Sequence, residues 1–425
     1  MANNQAVQEE FSEADILRAT TYHRRDFELA VISIRPSEKE KVLPGMRDAF
    51  NRPFNPAKPG LLDHLPVEIF HKCLVGLDLK TLFGLRHVNA RTRDIVSTFK
   101  PYQKAMMYAE DLVYALLRTG LAKWYTLDDI FDVLHTRECT ICGADFGGFV
   151  LLLPPNLTRC CFSCVRTKSE VGQHVIDPTT RRFHFERDYE LITLSEAHNL
   201  YGVSPAVLRR ENVPILKSLP GVYGMKETER KMRHSLVHDK AVRELSTNHK
   251  RGLPWSDTSR RSGEMFLRWC MATIALPWVD PETGEIDRGV SCRGCQWRFE
   301  QVSSDERSFG SLSASRDKVY SKSSFLVHFR GCKHAKKLWE ESKKGTVVVG
   351  DSEFVRRGGF IKDRKDDIAL EVVARKRPRS TVGQIGSEAE EFYWILESNG
   401  TLTPSWSLSR NRPFVNAGFE SRERG

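Results

Sequence analysis

Apolar positions recur at helical spacing over most of the chain and at strand spacing in only a few short runs. One helix is predicted around Ser12 to Arg18, followed by the apolar stretch Leu29-Ala30-Val31-Ile32. From Pro36 to Gly60 the composition turns to Pro, Lys, Asn and Gly, which predicts a linker. The segment from Leu61 to about Met107 then carries the punctuation of three short helices. Pro66 suits a first helical position, where its missing N–H costs nothing, and Glu68 places an anion in the first turn. Val67, Phe70 and Leu74 recur at i, i+3 and i+7, and Ile69 and Cys73 at i, i+4. Asp78 is placed to cap a second helix carrying Leu79, Leu82, Phe83 and Leu85. Asn89 is placed to cap a third, with Ile95 and Val96 inward. Helices this short are unstable singly, so they are expected to pack together as a small all-α module.

Helical pattern continues to about Leu134, with Leu112, Ala115 and Leu116 as an apolar stripe. Residues 139–187 break it: Phe149 to Leu153 is an apolar run of strand length, and Arg181 to Phe185 alternates. Residues 191–250 return to helix, with starts at Ser195 and Ser204-Pro205 and a long charged helix from Met225 to Leu245. Asp280 to Gly289 has the composition of a turn-rich hairpin, residues 303–317 that of a mobile Ser-rich loop, and Lys322 to Ser342 is helical again. The fold class expected is mainly α with small β elements (α+β). Residues 1–60 read as an N-terminal segment and linker, 61–107 as the three-helix module, 108–345 as a helical body and 346–425 as a largely disordered tail.

Six of the ten cysteines lie in three Cys-x-x-Cys pairs, the pattern of metal binding rather than of disulfides. Cys139 and Cys142 precede Cys161 and Cys164 by eighteen intervening residues, a separation that suits one tetrahedral zinc ion with four sulfur ligands. Cys160 adjoins Cys161, but only Cys161 leaves the two-residue gap that lets both sulfurs face one ion. Arg137, Arg159 and Arg166 flank the pairs and are expected to offset the thiolate charge. A second site is expected from Cys292 and Cys295 with His328 and Cys332, the last two at i, i+4 on one helix face. His334 is the alternative fourth ligand, although its offset of six from His328 turns it to the opposite face. Both sites fill four positions with protein ligands, so they read as structural rather than catalytic.

The segment Leu62-Asp63-His64-Leu65-Pro66-Val67-Glu68-Ile69-Phe70, then Leu79-Lys80-Thr81-Leu82, then Leu85-Arg86-His87-Val88-Asn89-Ala90-Arg91, resembles an F-box. The family's usual Trp or Arg beside the closing helix is replaced by Thr92, and Gly84 interrupts the second helix at a cost of about 1 kcal/mol against Ala. The resemblance implies an apolar surface completed by a Skp-type adaptor, carried by Leu65, Pro66, Ile69, Leu74, Leu82, Leu85 and Val88. An F-box followed by a cysteine-rich zinc region is similar to a class of fungal F-box proteins. That likeness implies a non-catalytic substrate receptor of a Skp–cullin–F-box ubiquitin ligase, acting on an unidentified protein substrate.

Composition alters this picture little. No apolar run approaches the roughly 20 residues of a membrane span, and the opening residues are too polar for a secretory signal, so a nuclear or cytoplasmic protein is expected. The net charge of +10 is concentrated: residues 201–270 hold 14 Lys and Arg against 7 Asp and Glu. That basic stretch keeps a nucleic-acid-binding zinc protein as the alternative. No phosphate-binding glycine loop, nucleophile elbow or kinase signature is present, and His234 and His238 lack the Glu of a His-Glu-x-x-His metalloprotease.

Overall fold

Side-chain caps set the helix starts where the sequence places them. In the computed structural model, which describes residues 12–47, 66–167, 173–176, 183–186, 190–248, 262–302, 309–356, 395–396 and 402–403, Ser12 accepts from the Ala14 amide to open the helix Glu13–Thr20. Asp78 accepts from Thr81 N at 3.0 Å to open Leu79–Leu85, and Ser204 caps Pro205–Arg210. Asn89 opens Ala90–Thr98 through a reciprocal box in which Thr92 N donates to Asn89 Oδ1 at 2.8 Å and Asn89 N to Thr92 Oγ1 at 3.3 Å. Thr92 also donates to the Leu85 carbonyl at 2.8 Å, tying the second and third helices of the module together. Ser195 is not a cap: Thr193 plays that part for Leu194–Tyr201, with Glu196 closing the box.

The architecture is mainly helical with small antiparallel sheets. Phe149–Leu151 forms the centre of one three-stranded sheet, between Thr158–Cys160 and Thr273–Ala275. Val290–Cys292 is the centre of another, between Thr21–Tyr22 and Val319–Tyr320. Ser235–His238 is the centre of a third, between Leu191–Thr193 and Leu216–Lys217. The expected hairpin after Trp278 is present, with Trp278–Val279 paired to Ile286–Asp287. Among the described residues no helix is long and apolar enough to cross a membrane. The start of the tail expected to be disordered is ordered instead, with Arg293 donating to the Val349 carbonyl at 3.1 Å and a helix at Glu353–Arg356. Residues 364–425 form a separate unit, in which Ile395–Leu396 pairs with Leu402–Thr403, and the rest of that expectation lies outside the described residues.

Three expectations are corrected by tertiary packing. The Pro- and Lys-rich start of the expected linker is the helix Pro36–Arg47, seated because Met46 is fully buried and Lys39 pairs with Glu110 at 2.8 Å. The charged helix expected over 225–245 is instead a hairpin, Gly221–Tyr223 with Thr228–Arg230, then the strand Ser235–His238 and the helix Asp239–Asn248. Gly224 at φ 73° turns the chain, and Leu236 and Val237 are buried between two partner strands, so pairing overrides the helical pattern. Within the expected Ser-rich loop, Phe309–Asp317 is a helix, and 303–308 lies outside the described residues.

That helix is fixed by an ionic junction. The Asp317 carboxylate, almost fully buried, receives Arg24 at 2.5 Å, Arg316 at 2.7 Å and Arg166. Arg24 is equally buried, also binds Asp26 at 2.6 Å, and lies over the Phe27 ring at 4.3 Å. Removing one partner of such a group leaves buried charge uncompensated. Asp317→Asn is therefore expected to destabilise the folded chain by about 3–5 kcal/mol in denaturant melts, whereas Glu229→Gln, whose partner Lys231 is exposed, is expected to change nothing measurable.

Candidate metal centres and docking face

The first cysteine cluster is built from two turns. Cys139 opens a tight loop in which Gly143 N donates to the Cys139 carbonyl at 2.8 Å, and Gly143 takes φ 71°, a conformation open to glycine. Cys161 and Cys164 sit at the start and in the first turn of the helix Phe162–Thr167, reached from the strand Thr158–Cys160. These turns bring Cys139 Sγ within 3.8 Å of Cys164 Sγ and Cys142 Sγ within 3.7 Å of Cys161 Sγ. A disulfide would require about 2.05 Å. A tetrahedral ion with sulfur bonds of about 2.3 Å sets sulfur–sulfur edges near 3.8 Å, so the four residues fit a metal. By themselves the sulfurs favour one thiolate at the expense of its neighbours: hydrogen bonds from Cys161 and Cys164 hold Cys139 below the ordinary thiol range, and the bond to Cys139 pushes Cys161 up to about 12. A dication removes that conflict by stabilising every thiolate at once.

Cys160 is outside the cluster. Its side chain is fully buried, and burial pushes its thiol well above the ordinary range. The flanking arginines tie segments together: Arg159 Nη1 donates to the carbonyls of Val133 and Pro277, each at 3.1 Å. Arg137 pairs with Glu138 at 3.2 Å and Arg166 with Asp317.

The second cluster joins Cys292, Cys295, His328 and Cys332. Cys292 caps the helix Arg293–Glu300, its sulfur accepting from Cys295 N at 3.4 Å. Cys332 Sγ lies 3.9 Å from both Cys292 Sγ and Cys295 Sγ, and His328 Nε2 lies 3.5 Å from Cys295 Sγ. The helix expected from Lys322 to Ser342 is broken at Cys332, which adopts extended backbone between Lys322–Gly331 and Lys333–Glu341. Cys332 therefore approaches the cluster from the end of the His328 helix rather than from its face. His334 is not a member; its ring packs 5.7 Å from Trp297. Gly294 permits the geometry, because a Cβ there would lie 2.3 Å from the Ala335 backbone nitrogen.

Tyr320 completes this centre. Its ring stacks on His328 at 4.5 Å, and its hydroxyl lies 3.1 Å from His328 Nδ1. With Nδ1–H donating to that oxygen, the Nε2 lone pair faces the sulfurs. Tyr320 lies outside the expected residue set; its only signal in the sequence is its place eight residues before His328.

The three-helix module, Val67–Val75, Leu79–Leu85 and Ala90–Thr98, divides its apolar residues between two faces. Phe70, Leu74, Leu79, Leu82, Ile95 and Val96 are buried in the chain's own core. Pro66, Ile69 and Cys73, at i, i+3 and i+7, are all exposed. Ile69 is 44% exposed, Val67 42%, Val75 39% and Val88 62%. Of the residues expected to face an adaptor, Leu74 and Leu82 are thus corrected to core positions, because their stripe faces the third helix and the body beneath it. Leu85 is half-buried, Pro66, Ile69 and Val88 are open, and Leu65 lies outside the described residues.

Residues 62–104 match the F-box domain family. No curated protein matches the chain, and no solved structure does. The F-box accounts for about a tenth of the sequence and is not separated from the rest by a linker on its C-terminal side. Arg86, fully buried, donates to Ser97 Oγ at 2.6 Å and to the Gly45 carbonyl at 3.0 Å, and Leu79 N donates to the Tyr125 carbonyl at 2.8 Å.

Metal counting separates the two adjacent cysteines: Cys161→Ala is expected to remove one metal ion per chain and Cys160→Ala none. Tyr320→Phe is expected to weaken metal retention at the second centre about 10–100-fold in a chelator competition while leaving the first unchanged.

Proposed function

We propose that the chain is the substrate receptor of a Skp–cullin–F-box ubiquitin ligase, with its F-box held on a body braced by two structural zinc ions. The observation that carries this reading is the exposure of Val67 and Ile69 on the first F-box helix and of Val88 just after the second, on a module whose Phe70, Leu74, Leu79 and Leu82 are buried in the chain's own core. Several large apolar side chains left in water on one small module mark a surface that another polypeptide covers. The occupant is a Skp-type adaptor, which joins the receptor to a cullin scaffold. The remainder of the body presents a protein substrate, and the chain itself does no chemistry; it raises the local concentration of an acceptor lysine near the conjugating enzyme.

Zinc is the ion that the two donor sets favour. Four thiolates, or three thiolates and one imidazole nitrogen, at tetrahedral spacing suit a d10 ion without a preferred geometry of its own. All four positions in each centre are protein atoms, which is the composition of a bracing site.

The nucleic-acid reading loses the continuous charged helix, though the basic stretch itself remains. Within the basic stretch Arg210 pairs with Glu211, Arg230 with Glu264, Arg243 with Asp239 and Arg268 with Glu196, at 2.7 to 2.9 Å. Four of the stretch's 14 basic side chains are thus answered by acids of the same chain.

The test uses full-length protein and a purified Skp-type adaptor. Ile69→Glu with Val88→Glu is expected to lower adaptor affinity at least about tenfold, each change removing roughly 1.5–3 kcal/mol of apolar burial, while melting behaviour and metal content stay as in the parent. Unchanged binding would overturn the assignment. Leu82→Ala serves as the contrast and is expected to cost the fold about 2–5 kcal/mol.

A further inference from the structure

The second metal centre is closed by a part of the chain remote from its ligands. The helix Glu13–Thr20 lies against the helices Lys322–Gly331 and Lys333–Glu341, with Ile16 and Leu17 packed against the small core that holds Cys292 and Cys332. The strand after it pairs directly with the ligand strand, Thr21 opposite Cys292 and Tyr22 opposite Ser291. Arg293, between the two ligand cysteines, donates to the Ala19 carbonyl at 3.1 Å. The Tyr22 hydroxyl donates to Gln296 Oε1 at 3.0 Å, across 274 positions of sequence. Arg18 reaches the Gly345 carbonyl at 3.2 Å. Each element that carries a ligand is therefore touched by residues 12–22.

The core beneath is small. Its buried members are Val290, Cys292, Tyr320, Phe325, Phe329, Cys332 and Ala335, and two of these are ligands. A core of this size has little apolar area to hold it together, so metal binding and local folding are the same free energy.

We propose that residues 12–22 are a metal-dependent clasp: loss of the ion from Cys292, Cys295, His328 and Cys332 releases them, and their removal loosens the ion. The inference rests on the metal reading of that cluster. Coupling between two sites is reciprocal, so each event changes the other by the same factor. Release stops at Arg24, which is held by Asp26 and Asp317. Beyond it, Leu29, Ala30 and Ile32 are buried in the main core, and Ile32 N donates to the Thr273 carbonyl at 2.7 Å. The F-box therefore keeps its seat while the clasp opens.

Arg18 supplies the readout, since its side chain is 56% exposed but its backbone is helical. A protease must wait for local opening before it cuts an ordered helix. In zinc-loaded full-length protein, tryptic cleavage after Arg18 is expected to be slow. In His328→Ala it is expected to accelerate roughly 5–150-fold, the usual range of coupling, with peptides from Phe70 to Ile95 still protected. Because that variant could lose its fold, wild-type protein is also stripped by chelator and reloaded, and protection at Arg18 is expected to return with zinc. In the converse experiment, Leu17→Asp is expected to speed chelator removal of the second ion by a similar factor and leave the first unaffected. Cleavage at an unchanged rate, with metal counting showing that the second ion is gone, overturns the clasp. A wild-type chain that loads only its first centre overturns the metal reading and the clasp with it.

Discussion

The body of this protein turns on one carboxylate. Asp317 gathers Arg24 from the N-terminal arm, Arg166 from the helix that begins at the first cysteine cluster, and its neighbour Arg316. Buried charges are tolerated only where opposite charges and hydrogen bonds answer them, so these segments are held to one relative position. Aromatic rings finish the enclosure, Arg24 lying over Phe27 and Arg316 over Phe299, each guanidinium within 4.3 Å of the ring centre. The small core around the second cysteine cluster is thus tied by electrostatics to the main core that holds the first.

Local signals in the sequence were reliable wherever one residue decides one bond. Asp78, Asn89 and Ser204 open the helices they were expected to open, because a cap depends on the next three residues only, although Thr193 takes that part from Ser195. The cysteine spacings found both clusters, and the two-residue gap chose Cys161 over Cys160, since a knuckle too is a local turn. What escaped was nonlocal. The fate of Met225 to Leu245 depended on Leu191–Thr193 and Leu216–Lys217 as strand partners, and Pro36–Arg47 became a helix through Glu110, far along the chain. Leu74 and Ile69 are both apolar and five residues apart; only the body beneath decides which faces water.

Thr92 makes the same point within the F-box. In the sequence it is a departure from the family pattern, standing where a Trp or Arg is usual. In place it is buried, caps that helix reciprocally with Asn89 and bonds back to Leu85. A small hydroxyl here replaces bulk with a hydrogen-bond bridge, and the module keeps its shape by different means.

The buried residues from Ala30 to Val279 form one continuous core that includes both the F-box helices and Cys139, Cys161 and Cys164. A chain assembled this way has no swivel between its F-box and the part that carries the first cysteine cluster. Within the proposed ligase, the span between them acts as a fixed gauge. Whether a given lysine of a captured protein is modified then follows from where it stands along that span, and lengthening a surface loop of the substrate would change the outcome more than tightening its grip.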